Sequence, residues 1–217
     1  MTFAQSILQL SIWIIVVPLV AGLVFFRFLD APSRLVLYLV ILAAIPQLLT
    51  ATMHHNRNLN IIYNIYTPVE FLFFYLLLGN KLKQQVVFKT ISFILIVVFL
   101  ATLALLTWLY GIKDKFLNEL VCVANITYLF WVFMFILKGL LNDEQLLNTR
   151  LPIFWFIAGL LLYTPCTIYV FAMTYYIEQS TNPFIHNLWS IHGIFNSLLY
   201  IFFSIGFYMN YRTVRTE

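Results

Sequence analysis

Seven apolar runs separated by short polar segments divide this chain, and each approaches the roughly 20 residues that a helix needs to cross a bilayer at about 1.5 Å per residue. They lie at about 5–26, 33–54, 61–79, 86–110, 117–140, 152–176 and 185–208. The pattern predicts an all-α, polytopic integral membrane protein, a seven-transmembrane-helix bundle forming one domain over residues 1–217. Polar breakers at 57–60, 111–115, 142–148 and 178–183 mark loops, and neither a fixed-period repeat nor a low-complexity linker is evident. The first run has no Lys or Arg ahead of it and no small-residue cleavage site behind it, so it reads as a retained span rather than a secretory signal.

Composition points the same way. With 63% hydrophobic and 9% charged residues, 12 Lys+Arg and 8 Asp+Glu cannot coat a soluble globule of 217 residues. Alternating the seven runs places Arg27, Arg34, Lys81, Lys83, Lys89, Lys138, Arg150, Arg212 and Arg215 on one side, and Arg57, Lys113 and Lys115 on the other. Basic residues concentrate on the cytoplasmic side of membrane proteins, which predicts a cytoplasmic C-terminus, an outer N-terminus and a cell membrane of the cytoplasmic type. The net charge of +4 then describes a collar facing anionic lipid, with Lys89 and Lys138 able to snorkel, and implies no nucleic-acid partner.

The polar residues inside the runs carry the chemistry. Glu70 falls in the middle of the third run. A carboxylate at the bilayer centre costs about 3 kcal/mol on insertion scales, so it is expected to face a partner, a cavity or water. Counted from the outer helix ends, Gln47 and His192 lie about 10 Å down, Asn125 about 12 Å, Glu70 and Thr167 about 14 Å, and Asn196 about 17 Å. Helical spacing sets Tyr63, Tyr66 and Glu70 on one face. His192, Asn196, Tyr200 and Ser204 recur every fourth residue below Trp189, and Asn118, Cys122 and Asn125 form a shorter stripe. Turned inward together, Glu70, His192, Asn196, Asn125, Tyr66, Tyr63, Gln47 and Thr167 would line an outward-facing pocket that binds a ligand. The inner segments 72–78, 131–136 and 198–207, nearly all apolar apart from Tyr and Ser, would close it. Pro18, Pro46, Pro68 and Pro165 predict kinks that free backbone carbonyls, although proline is also simply commoner in membrane helices.

Plainer roles compete with these. Glu70 paired with His192, Asn125 or a Tyr hydroxyl could merely lock the bundle. Tyr128, Tyr163 and Tyr169 could be packing residues with one satisfied bond, and Trp13, Trp108, Tyr110, Tyr175 and Tyr176 interfacial anchors. Cys122 and Cys166 read as small packing residues rather than a disulfide. Asn125-Ile126-Thr127 matches a glycosylation pattern but lies within a span. A zinc site from His54 or His55, a seventh-run histidine and Glu70 is chemically conceivable. His186 and His192 stand six residues apart, however, and face away from each other, so no metal is assigned and the cofactor is left unknown.

Known signatures do not fit. Val69 and Phe74 stand where the CAAX-protease-like intramembrane peptidases would carry a second Glu and an Arg. The last run lacks the HxxxH of the zinc-dependent seven-helix ceramidase and adiponectin-receptor group, and 183–211 lacks the retinal-binding Lys of microbial rhodopsins. The expectation is a small-molecule sensor or receptor-like subunit with a separate output partner. Its partners would be the lipid bilayer, a small-molecule or lipid ligand, and a membrane or cytoplasmic protein. The alternatives are a small proton-coupled transporter and a membrane-embedded enzyme acting on a lipid or isoprenoid.

Overall fold

A computed structural model describes residues 3–52, 59–82, 86–142, 148–182, 185 and 187–216. Among these the regular structure is helical, with no strand: α1 (Phe3–Trp13), α2 (Val16–Val24), α3 (Ala31–Thr52), α4 (Leu59–Leu77), α5 (Val86–Tyr110), α6 (Asn118–Asn142), α7 (Pro152–Ala172), α8 (Thr174–Gln179) and α9 (Leu188–Thr216). Short 3-10 turns at Phe26–Phe28 and Gly79–Leu82 follow α2 and α4.

Six stretches are long and apolar enough to cross a membrane: Ser6–Val24, Ala31–Thr50, Phe88–Tyr110, Asn118–Leu141, Pro152–Ala172 and Leu188–Arg215. The chain is therefore a multi-pass membrane protein. The run at 61–79 also folds as a helix, α4, but α4 is not among the six. Asn60, Tyr63, Asn64, Tyr66 and Glu70 dilute its apolar content.

Three boundaries depart from the apolar pattern for local reasons. The first run is two helices. Pro18 cannot donate to the Ile14 carbonyl one turn earlier and its ring crowds it, so the chain breaks after Trp13 and Val17 N–H bonds Ile14 O at 3.0 Å instead. The sixth run stops at Ala172, and after Met173 a separate short helix, α8, begins. The last helix continues past 208 to Thr216. Its 29 residues span about 43 Å, more than a hydrocarbon core of about 30 Å, so its basic end emerges beyond the lipid. α3 begins where Asp30 caps it, the carboxylate accepting from Ser33 N–H at 2.9 Å.

Helix contacts close a ring in the order α1/α2, α3, α4, α6, α7, α9 and back to α1/α2, with α5 packed outside against α6. Small residues set the close approaches. A Cβ at Gly159 in α7 would lie 2.9 Å from Phe202 Cβ and 3.6 Å from Leu199 Cα in α9, and one at Gly206 in α9 would run into the Phe156 ring. Buried polar pairs fix the register: Trp131 Nε1 donates to Ser92 Oγ between α6 and α5, and Asn210 Nδ2 to Ser33 Oγ between α9 and α3, both at 2.9 Å. Asn64 of α4 is buried and fastens the α5–α6 loop with three bonds. Its amide donates to Ile112 O (2.9 Å) and Lys115 O (2.8 Å), and its carbonyl accepts from Leu117 N–H (3.0 Å).

Candidate ligand-binding site

The ring is not filled. A cavity of about 230 Å³ lies among α1, α3, α4, α6, α7 and α9. It lies towards the end of the bundle where α4, α6 and α9 begin and α3 and α7 finish, and extends inward as far as Leu39 of α3 and Phe74 of α4. Two helices bring a Thr-Pro pair close to this level. In α4 Thr67 Oγ1 donates to Tyr63 O at 3.0 Å ahead of Pro68, and in α7 Thr164 Oγ1 donates to Leu160 O at 2.9 Å ahead of Pro165. A hydroxyl bonding back one turn, next to a residue without a donor, favours a bend in a helix.

Of the eight residues singled out in the sequence, Gln47, Tyr63, Tyr66, Glu70, Asn125, His192 and Asn196 line this one cavity. Thr167 does not. It is fully buried behind the wall, donates to Tyr163 O at 3.0 Å, and its hydroxyl stands 3.5 Å from His192 Nδ1, so it orients the imidazole from behind. A spacing argument places Thr167 at the right depth but cannot fix which way it turns.

Glu70 is the acidic residue of the lining, and its Oε1 accepts from Tyr66 Oη at 3.0 Å, one turn earlier on α4. Gln47 Nε2 lies 2.6 Å from Tyr200 Oη, which joins α3 to α9 across the ring. Thr50 Oγ1 and Tyr63 Oη share a bond of 2.9 Å between α3 and α4. Asn196 Nδ2 reaches Ser11 O at 3.4 Å. Asn125 Nδ2 donates to Val121 O in its own helix at 2.9 Å, leaving its Oδ1 buried with no partner, and Gln47 Oε1 is in the same condition. Two orphaned buried acceptors in one lining are unusual, because such groups cost about 1–3 kcal/mol each.

Aromatic rings finish the chamber. Phe171 packs edge-on against Trp189 and His192, with centroids 5.4 and 5.3 Å away, and Phe116 joins Phe171 to Tyr63 at 5.8 Å each. At the opposite end Phe74 and Phe203 form the floor, both 2% exposed. Beneath them Tyr128, Trp131, Phe156 and Phe207 are buried, and Phe71 stacks on Phe99 of α5 at 3.9 Å.

Ser11, Tyr163 and Tyr200 also line the cavity and were not among the eight. Tyr200 was visible as the third member of the stripe from His192. Nothing marks Ser11, since α1 carries no polar periodicity pointing to it. Other stripe members serve elsewhere: Ser204 bonds Tyr200 O at 2.8 Å, and Cys122 Sγ faces Ile168 O in α7 at 3.8 Å. Cys122 and Cys166 are both free thiols, partly buried.

Among the described residues no three His, Cys, Asp or Glu side chains gather to hold a metal ion. His54, His55 and His186, the other histidines considered for a zinc site, lie outside the described residues. No protein-family model, curated protein or solved structure matches the chain.

Proposed function

We propose that this protein is a seven-span membrane protein, with α4 as the seventh crossing, that binds a small molecule in the cavity around Glu70, His192 and Asn196 and serves as a sensor or receptor-like subunit. The supporting observation is a polar chamber in one half of the ring above a packed aromatic floor. A helix too polar to rank with the other six is acceptable in the membrane when its polar side faces such a chamber rather than lipid. Nine basic residues against three set the chamber end outside and the C-terminus in the cytoplasm.

The floor favours sensing over transport. A carrier must open the chamber to the other side, and Phe74, Phe203, Phe207 and Trp131 would all have to part. A sensor needs only to pass a shift of helix packing to a partner. The tight α7–α9 seam at Gly159 and Gly206 is suited to that, since closely packed helices move as units.

A thermal-unfolding screen of the purified protein against small water-soluble compounds tests this reading. It expects compounds that raise the unfolding midpoint by several degrees, lose that effect with Asn196→Leu, and do not accumulate in proteoliposomes. Accumulation inside the vesicles would identify a transporter. Stabilisation that ignores the cavity residues would contradict a binding site there.

A further inference from the structure

The lining is unbalanced between donors and acceptors, and between negative and positive charge. It contains a carboxylate and no Lys or Arg. The free oxygen of Glu70, the buried Asn125 Oδ1 and the buried Gln47 Oε1 have no partner among the described residues. Asn125 is the firmer of the two amides, because the Val121 carbonyl fixes which way it turns. An anionic ligand would meet the Glu70 carboxylate as repulsion.

Aromatic groups surround the same carboxylate. Tyr66, Phe74, Tyr163, Tyr200 and Phe203 line the cavity with it, and the Tyr66 hydroxyl bonds it at 3.0 Å. Ring faces beside a carboxylate attract an organic cation through the ring quadrupole and through Coulomb attraction together. Among the described residues no Lys or Arg lines the cavity to supply such a cation, and the ion pair is Lys115 with Glu119 at 3.1 Å, with Lys115 also over the Tyr110 ring. A bare metal cation would leave the ring faces unused and most of the roughly 230 Å³ to water.

We infer that the cavity takes a small organic ammonium ion, its charge against Glu70 and its carbon skeleton against the tyrosine and phenylalanine side chains of the lining. This rests on the cavity being a binding site, as proposed above, and adds the ligand's class.

The test uses the full chain in nanodiscs and calorimetric titration with benzylammonium, n-butylammonium, benzyl alcohol and benzoate at matched ionic strength. Benzylammonium or n-butylammonium should bind at least about tenfold tighter than benzyl alcohol, with benzoate not binding. Glu70→Gln should erase that preference, and Glu70→Asp, which keeps the charge, should retain part of it. The inference is overturned if neither ammonium ion binds, if benzyl alcohol or benzoate binds as well, if sodium ion alone displaces the ammonium at equal concentration, or if the preference survives Glu70→Gln. Alcohol binding that depends on Asn196 would sink the ammonium assignment while leaving the pocket standing. Failure of all four probes together with an empty compound screen would remove both.

Discussion

Glu70 separates a binding site from a structural lock. Its hydrogen-bond partner among the described residues is the Tyr66 hydroxyl, whereas an ionised carboxylate can accept about four bonds. A lock would have satisfied it. Replacing it with Met, similar in volume and apolar, should therefore leave the unfolding midpoint of the ligand-free protein unchanged or raise it. A fall of several degrees would return Glu70 to a structural role. Asn64 should behave in the opposite way, because both its amide hydrogens and its carbonyl oxygen are engaged by the 112–117 backbone. Asn64→Leu should cost about 2–4 kcal/mol, read as a lower midpoint in detergent unfolding, since buried backbone groups lose their partners. Glu70 stands out in an apolar run, but Asn64 looked like any polar residue near a helix end. Its three partners come from a loop 48 to 53 residues further on, and no local pattern announces a contact of that range.

At the scale of the helices, apolar runs locate elements well when burial in lipid is what they report. α5 begins and ends at the predicted 86 and 110, and α6 and α7 begin within one residue of expectation. Hydropathy is silent where backbone chemistry decides, as at Pro18, or where a helix outlasts the bilayer, as at the end of α9. The spacing of polar residues likewise placed seven of the eight on the cavity, because a four-residue stripe fixes a face once one member faces inward. It also put Thr167 there, whose β-branched side chain instead turns back to its own helix. The α7–α9 seam carries a prediction of its own. Gly159→Val should destabilise the protein by about 1–3 kcal/mol, because the added carbon would lie 2.9 Å from Phe202 Cβ, an atom that side-chain rotation does not move. A midpoint equal to that of the parent would show that the helices separate freely there. Gly111, at φ 71° in the α5–α6 loop, should lose about 1 kcal/mol on change to Ala, measured the same way.

For the whole molecule, one ring of helices has two different halves. The half holding Glu70 is hollow and polar, and the other is packed with Phe, Tyr and Trp around Trp131 and Phe207. α5 stands outside that ring, its apolar surface largely exposed for lipid, with Trp108 81% exposed at its end. A chamber at one end above a packed floor suits the proposed role of a sensor that reports occupancy. The most direct measurement is sided chemical labelling in intact cells, in a background where Cys122 and Cys166 are replaced by Ala. With Asn196→Cys, a charged, membrane-impermeant maleimide added outside should react, and Ser204→Cys, two turns deeper on α9, should stay unmodified from either side. A substituted position 196 that is inert from outside, or reached only from the cytoplasmic side, would contradict an outward-facing chamber.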